Sequence, residues 1–396
     1  MSDASPPQSR LGKFLSLELL DNRYPQLHGL RVFAILSVVQ FHVTWIFGGE
    51  KKMPLDGGLM ASSLTVFFGM DLFFFLSGFL IGSILLHSIA TSGTQQLQRF
   101  YLRRIFRTFP SYYVVLTFLA LTTALTVLQR QHLVYEYLYG TNFIRLKPGD
   151  VIMYWGWSLA LEEQFYLTVP LLFFVLQRVR SDRWRIGILL VLFFAALGIR
   201  MYVYYHGRPW TDAALRMALY FRTHTRFDTL IGGILLAVVH QRYKVQLTAW
   251  LKDPFHRALV GLPSLACLWL LVQPWMFGDG TMQMVLVWSW GTVTSAMYFG
   301  CVILLLHGGD GFFVRILSWP IYRRIATLGY GIYLVHIPLC EEVMVPVAQR
   351  LAKTLPMSVV WVLSLAELMI LSVGLSYVMH ILIEKPSLRL RERLAA

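Results

Sequence analysis

Long apolar runs recur along most of the chain and are separated by short polar stretches. A helix needs roughly 20 mostly apolar residues to cross the hydrocarbon core of a bilayer. Helices are the expected element, because an open sheet would leave backbone N–H and C=O groups unsatisfied in lipid. The pattern therefore predicts an all-α integral membrane protein, a bundle of about ten transmembrane helices. The predicted spans are 30–47, 64–87, 111–128, 158–177, 186–205, 227–240, 258–274, 284–306, 325–346 and 358–383.

Composition and charge support this location. Hydrophobic residues make up 56% of the 396 residues and charged residues 14%, whereas about a quarter of a soluble domain is charged. In a soluble protein the net charge of +14 would suggest nucleic acid as a partner. In a membrane protein it indicates basic cytoplasmic loops and anionic partners at the membrane surface, so membrane lipids and no nucleic acid are the expected partners. The predicted spans place most Lys and Arg on the side of both termini, which the positive-inside rule assigns to the cytoplasm. We expect a bacterial-type inner (plasma) membrane protein with a cytoplasmic segment 1–29, a transmembrane domain 30–383 and a cytoplasmic tail 384–396.

The first predicted span carries Arg31 and His42, two residues that lipid would exclude. Eleven helical residues make three turns plus about 20°, so the two side chains share a face about 16 Å apart along the axis. Ionisable residues inside a membrane are expected to face a cavity or a polar partner. The spacing suits a ligand with an anionic head and a long arm, such as coenzyme A, with its phosphates at Arg31. The alternative is that His42 is a packed histidine bonded to a neighbouring helix.

Two further polar residues lie inside predicted spans. Asp71 is a lone carboxylate among phenylalanines and could orient His42, as a carboxylate does in hydrolase triads; the alternative is a residue at the outer membrane boundary. His336 lies near the middle of the ninth span. It could be a substrate ligand or a second base, or a hydrogen-bonded histidine of the core.

Arginines alternate with aromatic residues in the stretch 88–110, which the pattern predicts as a cytoplasmic loop. Arg103 and Arg107 are four residues apart and would share a helix face, with Arg104 between them. The guanidinium fork matches phosphate oxygens, so these arginines predict a phosphate-binding clamp. The alternative is the ordinary positive charge of a cytoplasmic loop or binding to lipid headgroups.

The fourth predicted span opens with an aromatic pair and two adjacent carboxylates. Trp155 and Trp157 suit a membrane interface, and Glu162 and Glu163 follow in the outer part of the span. Adjacent helical residues point about 100° apart, so one carboxylate could line a cavity while the other meets a neighbouring helix. We expect these carboxylates near the opposite face of the membrane from the arginines.

Seven motifs in this order resemble the acyltransferase family 3 membrane proteins, over nearly the whole chain. By resemblance, Arg31 and His42 match the first-span motif, with His42 as the catalytic histidine. Arg104 and Arg107 match the family's cytoplasmic arginine motif, and Glu162 and Glu163 fall in its fourth-span motif. Asn142 lies near a position where many members carry asparagine. The motifs are LRVFAILSVVQFH, GMDLFFFLSGFLIG, RRIFRTFP, WSLALEEQFYLTVP, RFDTLIGGILLA, LGYGIYLVHIP and EKP.

The resemblance implies an O-acyltransferase that moves an acyl group from acyl-coenzyme A, with acetyl-CoA as the expected donor. Its acceptor would be a hydroxyl of a carbohydrate, a lipid-linked glycan or a secondary metabolite, and no metal is expected. The chain is expected to be a single-domain member without a fused hydrolase-like domain. A transporter or flippase without chemistry, or a sensing protein that only binds the ligand, stays open as an alternative. The expected roles are catalysis for His42, Asp71, Glu162 and Glu163, donor binding for Arg31, Arg103, Arg104 and Arg107, and substrate binding for Asn142, Trp157 and His336.

Overall fold

The computed structural model describes residues 14–50, 53, 55–144, 149–272, 283 and 287–395. Within these ranges the chain consists of helices and short connections, without a β-strand, which confirms the all-α prediction. Parts of the predicted spans 258–274 and 284–306 lie outside the described residues. The α-helices, numbered in chain order, are α1 Pro25–Trp45, α2 Gly57–Leu64, α3 Gly69–Thr122, α4 Val127–Tyr137, α5 Trp157–Arg178, α6 Asp182–His206, α7 Asp212–Leu219, α8 Thr223–Arg226, α9 Asp228–Trp250, α10 Pro254–Leu271, α11 Thr294–His307, α12 Phe312–Leu317, α13 Pro320–Leu339, α14 Val345–Leu351, α15 Met357–Met379 and α16 Lys385–Ala395.

Nine helical stretches of the described chain are long and apolar enough to cross a membrane. The predicted span 227–240 is not among them. It forms the first part of α9, in which nearly every residue before Val239 is buried. This helix therefore occupies the centre of the bundle instead of its lipid-facing wall. The nine stretches are Pro25–Gly48, Val66–His87, Leu97–Thr122, Tyr154–Arg178, Asp182–His206, Pro254–Leu271, Ser289–His307, Pro320–Leu351 and Met357–Leu394.

Glycines allow α9 to pack closely on the first arm of α3. A Cβ atom on Gly78 would overlap the Leu230 carbonyl group, and one on Gly233 would overlap the backbone of Phe75 and Phe79. The two helix backbones therefore touch directly, as small residues permit in membrane helices. This contact fixes the helix that carries Ser77 against the centre of the bundle.

The long helix α3 contains two membrane-crossing arms. Ser77 donates a hydrogen bond to Glu162, and the Arg104 guanidinium lies over the ring of Tyr166, one turn further along α5. A straight helix would separate Ser77 and Arg104 by about 40 Å, so α3 must reverse direction between its arms. The stretch 88–110 was predicted as a loop; it is helical, and Arg103, Arg104 and Arg107 lie in the first turns of the second arm.

The segments that flank the bundle pack onto one end of it and onto each other. The Lys385 ammonium group donates hydrogen bonds to the carbonyl oxygens of Phe14 (3.0 Å) and Ser16 (2.6 Å). The Arg323 guanidinium of α13 binds the carbonyl oxygen of Leu20 at 2.7 Å. The lysine of the EKP motif thus ties the N-terminal segment 14–24 to the C-terminal helix α16.

Candidate functional site

A cavity of about 640 Å³ lies between the N-terminal segment and helices α1, α3, α5, α13 and α16. Its volume falls within the range of about 300 to 1,000 Å³ that is usual for ligand pockets. The two groups of arginines selected from the sequence, one on α1 and one on α3, meet in this cavity. Its charged lining residues are Arg23, Arg31, Arg103, Arg104, Arg107, Arg391, Glu18, Asp21, Glu162 and Glu392.

The arginines deepest in the cavity make no direct ion pair with an acidic side chain of the described chain, although Glu162 lies near Arg31 and Arg104. In the described part of the chain, Arg31, Arg104 and Arg107 form no ion pair with a carboxylate within 4.0 Å. Elsewhere in the bundle, fully buried arginines are paired: Arg200 with Asp228 at 2.8 Å. Unpaired guanidinium groups around a cavity are the arrangement that binds phosphate.

Glu162 lines the same cavity as these arginines, which corrects the expectation that it lies near the opposite face. Its Oε1 atom accepts hydrogen bonds from the Ser77 hydroxyl at 2.5 Å and from the Tyr166 hydroxyl. The Arg104 Cζ atom lies 5.5 Å from the centre of the Tyr166 ring. A polar cluster on three helix segments therefore forms the floor of the cavity.

Glu163 points away from this floor. It is directed to the second arm of α3, where the Thr108 side chain lies near it, and it does not line the cavity. The division between the two carboxylates follows the 100° rotation between successive helical residues. Of the predicted pair, Glu162 is placed for a role in the cavity and Glu163 for helix packing.

A second pocket, of about 10 Å³, adjoins the floor of the cavity. It shares Phe73, Glu162 and Tyr330 with the large cavity and reaches Tyr333 and Ser158. The Tyr333 hydroxyl is bonded to Ser158 at 2.5 Å and donates to the Trp155 carbonyl oxygen at 2.8 Å. The backbone carbonyl oxygen of Tyr333 also accepts a hydrogen bond from His336. A line of contacts thus joins the arginine-lined cavity to the histidine site.

His42 and His336 form a hydrogen-bonded pair. The distance from His336 Nε2 to His42 Nδ1 is 3.0 Å, and the ring centres are 5.0 Å apart. His336 is fully buried, whereas His42 is partly exposed. Helix α13 therefore places a second histidine next to His42.

The hydrogen bonds assign the tautomers of both rings. His336 Nδ1 lies 2.7 Å from the Tyr333 carbonyl oxygen, which can only accept, so this nitrogen carries the proton. In a neutral imidazole the other nitrogen is then an acceptor, so His42 Nδ1 donates to His336 Nε2. Among the described residues, the Nε2 atom of His42 has no hydrogen-bond partner, which leaves its lone pair free. An imidazole with its Nδ1–H held and its Nε2 free is prepared to take up a proton.

The expectation that Asp71 orients His42 is wrong. Asp71 is fully buried; its Oδ1 accepts from Arg226 at 2.7 Å and from Thr229 at 3.1 Å, and its Oδ2 has no partner among the described residues. The carboxylate faces α8 and α9, because its helix face turns towards the centre of the bundle. Asp71 and Arg226 form a buried ion pair that connects α3 to α8.

We expect Asp71→Leu to lower the stability of the protein by about 3–5 kcal/mol, because it leaves the buried Arg226 charge uncompensated. The double variant Asp71→Leu/Arg226→Met removes both charges and should recover most of that loss. Thermal unfolding of the purified protein in detergent measures both effects. A double variant that is stable but has lost activity would contradict this assignment and return Asp71 to the catalytic group.

Two of the predicted substrate-binding residues are occupied inside the protein. The Asn142 amide nitrogen donates to the carbonyl oxygens of Trp157 (2.9 Å) and Phe221 (2.8 Å), and its oxygen accepts from Gln164. Trp157 is buried in an aromatic cluster with its ring centre 5.0 Å from that of Tyr220. Neither residue lines the two described cavities. Their contacts instead hold the start of α5 in place.

Sequence reasoning missed several residues of the site. The sequence prediction does not include Ser77, Tyr166 or the residues of the N-terminal segment that line the cavity. A hydroxyl-bearing residue one turn from a carboxylate, as Tyr166 is from Glu162, is a signal that could have found one of them. Arg103, in contrast, was selected and is exposed at the edge of the cavity.

The chain is similar to a group of known proteins. A family model described as "Acyltransferase domain" matches residues 24–381. "Peptidoglycan O-acetyltransferase OatA" of Listeria monocytogenes is 26% identical over 340 residues, which cover 80% of this chain and 49% of that protein. "Putative peptidoglycan O-acetyltransferase YrhL" of Bacillus subtilis is 28% identical over 346 residues, covering 80% and 49%. No solved structure shows significant similarity to the chain.

The overlap with these relatives is partial. A third relative, "Putative O-acetyltransferase SACOL0978" of Staphylococcus aureus, is 26% identical over 333 residues, covering 79% of this chain and 50% of that protein. The chain therefore spans about half the length of the curated relatives that it matches. The range of the family model, residues 24–381, includes Arg31, Arg104, Arg107, Glu162 and both histidines of the site described above.

Proposed function

Because this chain belongs to the acyltransferase domain family, we propose that it transfers an acyl group, acetyl in the simplest case, from acyl-coenzyme A to a hydroxyl group of a carbohydrate. The bundle of apolar helices makes it an integral membrane protein. The relatives named as peptidoglycan O-acetyltransferases favour a polysaccharide or a lipid-linked glycan as the acceptor. The observation that carries the proposal is the arginine-lined cavity, together with His42, which lies further along the same helix as Arg31 and is hydrogen-bonded to His336.

The cavity suits the donor in charge and in length. Arg31, Arg104 and Arg107 would bind the pyrophosphate through charge-assisted hydrogen bonds. The pantetheine arm would then pass Glu162 and Tyr330 and bring the thioester towards His42. The axial distance from Arg31 to His42, about 16 Å, matches such an arm.

The chemistry follows from the tautomers. His42 Nε2 takes the proton of the acceptor hydroxyl while the oxygen attacks the thioester carbonyl carbon; the C–S bond then breaks, and the thiolate receives that proton from His42. General-base catalysis of this kind contributes about 10²- to 10⁴-fold. Attack by Nε2 itself, with a transient acyl-imidazole that the acceptor then cleaves, would use the same lone pair. His336 positions His42 in either route and stabilises its protonated form.

The donor site also gives a reason for the orientation in the membrane. Coenzyme A is a cytoplasmic metabolite, so the cavity entrance beside the N-terminal segment and α16 would face the cytoplasm. Both termini would lie on that side of a bacterial inner membrane, in agreement with the distribution of Lys and Arg. The partly exposed ring of His42 would then receive an acceptor from the other side of the bundle.

The proposal is tested by incubating the purified protein with acetyl-coenzyme A labelled in the acetyl group and with peptidoglycan fragments or lipid-linked glycans. We expect labelled ester on the glycan and free coenzyme A in equal amounts. Movement of an unmodified glycan across the membrane of vesicles that contain the protein, without ester formation, would instead support the flippase alternative. Donor binding without either result would support a sensing protein.

The arginines make a separate prediction about the donor. Arg31→Lys keeps the charge but loses the bidentate fork, so we expect it to raise the Kd for acetyl-coenzyme A about tenfold. Arg104→Ala and Arg107→Ala should raise this Kd by a similar factor. Isothermal titration calorimetry in detergent measures this Kd without an acceptor. Arg130→Ala, on the exposed part of α4, is the control and should bind normally. Normal donor binding by all three cavity variants would contradict the clamp.

A further inference from the structure

One buried polar side chain at the entrance of the cavity lacks a hydrogen-bond partner. His28 is 3% exposed and lines the cavity. Among the described residues neither of its ring nitrogens has a hydrogen-bond partner within 3.5 Å, although the backbone and carboxylate of Asp21 lie nearby. More than nine in ten buried polar groups are bonded, and leaving one unbonded costs about 1–3 kcal/mol. The His28 ring is therefore unusual among buried polar groups, and its two nitrogens can form hydrogen bonds to a ligand.

Several other polar side chains around the entrance already have partners. Arg391 is paired with Glu392 at 3.3 Å, and the Tyr24 hydroxyl is bonded to His240 at 3.2 Å. Asp21 and Arg23 also face each other, 3.9 Å apart. Within the described residues, His28 is the buried polar group of the entrance that has no such contact.

The position of His28 on α1 decides which part of the donor it meets. It lies one turn before Arg31, about 4.5 Å closer to the start of the helix and on nearly the same face. In the proposed function, the pantetheine arm runs from Arg31 in the opposite direction, towards His42. The part of coenzyme A beyond the pyrophosphate therefore extends past His28.

We propose that His28 binds the adenosine 3′-phosphate end of the donor, an inference that rests on the proposed function. A neutral imidazole offers one N–H donor and one acceptor nitrogen, which fit a phosphate oxygen and a ribose or adenine N–H or hydroxyl group. Three charged side chains lie close enough to interact electrostatically with His28: the positive Arg31 and Arg323 and the negative Asp21. Their sum is positive, which favours a phosphate. His28 distinguishes coenzyme A from shorter carriers of the same thioester.

The experiment compares two donors that share the acyl arm. Acetyl-coenzyme A carries the adenosine 3′-phosphate, and acetyl-4′-phosphopantetheine lacks it but keeps the phosphate next to the arm. In calorimetric titrations of the full-length protein, we expect His28→Ala to raise the Kd for acetyl-coenzyme A about tenfold, the loss of one hydrogen bond to a charged group. The Kd for acetyl-4′-phosphopantetheine should not change. Arg31→Lys should weaken both donors, because both place a phosphate at Arg31.

Two further variants keep the comparison decisive. His28→Phe fills the volume of the imidazole without a polar atom and should reproduce His28→Ala, which covers a failure of the alanine variant to fold. His206→Ala changes an exposed histidine of α6 that is bonded to the carbonyl oxygen of Tyr202 and should bind both donors normally. Equal weakening of both donors by His28→Ala and His28→Phe, or no weakening of either, would overturn the assignment of His28. A wild-type protein that binds neither donor would refute the proposed function itself.

Discussion

Replacing His42 with alanine is expected to lower acyl transfer about 10²- to 10⁴-fold while the protein still folds and binds the donor. The variant loses the Nε2 lone pair that accepts the proton, and general-base catalysis is worth about 10²- to 10⁴-fold. The ring is partly exposed, so its removal costs little packing. The measurement is the rate of labelled ester formation at saturating acetyl-coenzyme A, together with the Kd for the donor.

The bundle offers a matched control for this variant. His307 is a second histidine in a buried pair, with its Nε2 atom 2.9 Å from His240 Nδ1, and it lines neither described cavity. His307→Ala should therefore retain acyl transfer. A His42→Ala protein with substantial activity, or a His307→Ala protein as inactive as His42→Ala, would remove His42 from the role of base.

Replacing His336 with alanine is expected to lower kcat about 10²-fold and to leave the KM for acetyl-coenzyme A nearly unchanged. His336 touches His42 and not the donor cavity, so it acts by holding the reactive tautomer. Without it, His42 Nδ1 loses its acceptor, and the ring no longer has a fixed tautomer or orientation. The orienting residue of a Ser-His-Asp triad is worth about 10⁴-fold, and a neutral acceptor should contribute less.

A conservative variant separates positioning from packing. The side-chain oxygen of glutamine in His336→Gln can still accept a hydrogen bond from His42 Nδ1, so part of the lost kcat should return. His336→Leu fills the site without an acceptor and should stay as slow as His336→Ala. If leucine restored the rate as well as glutamine did, the contribution of His336 would be packing alone.

The amino-acid sequence was sufficient to predict the environment and much of the candidate site. Apolar length gave the helical membrane fold, because spanning segments must satisfy their own backbone groups. Helical periodicity placed Arg31 and His42 on one face and separated Glu162 from Glu163. These are properties of a single helix, and a single helix is encoded by neighbouring residues.

Only the tertiary structure decided which helices meet. The contact between His42 and His336 joins residues 294 positions apart, and the Asp71–Arg226 pair joins residues 155 positions apart. The sequence gives the depth and face of each side chain, but the rotation and crossing of two distant helices depend on packing along their whole length, such as the close approach at Gly78 and Gly233. That packing turned Asp71 towards Arg226, away from His42, and supplied His336 as the partner of the free base.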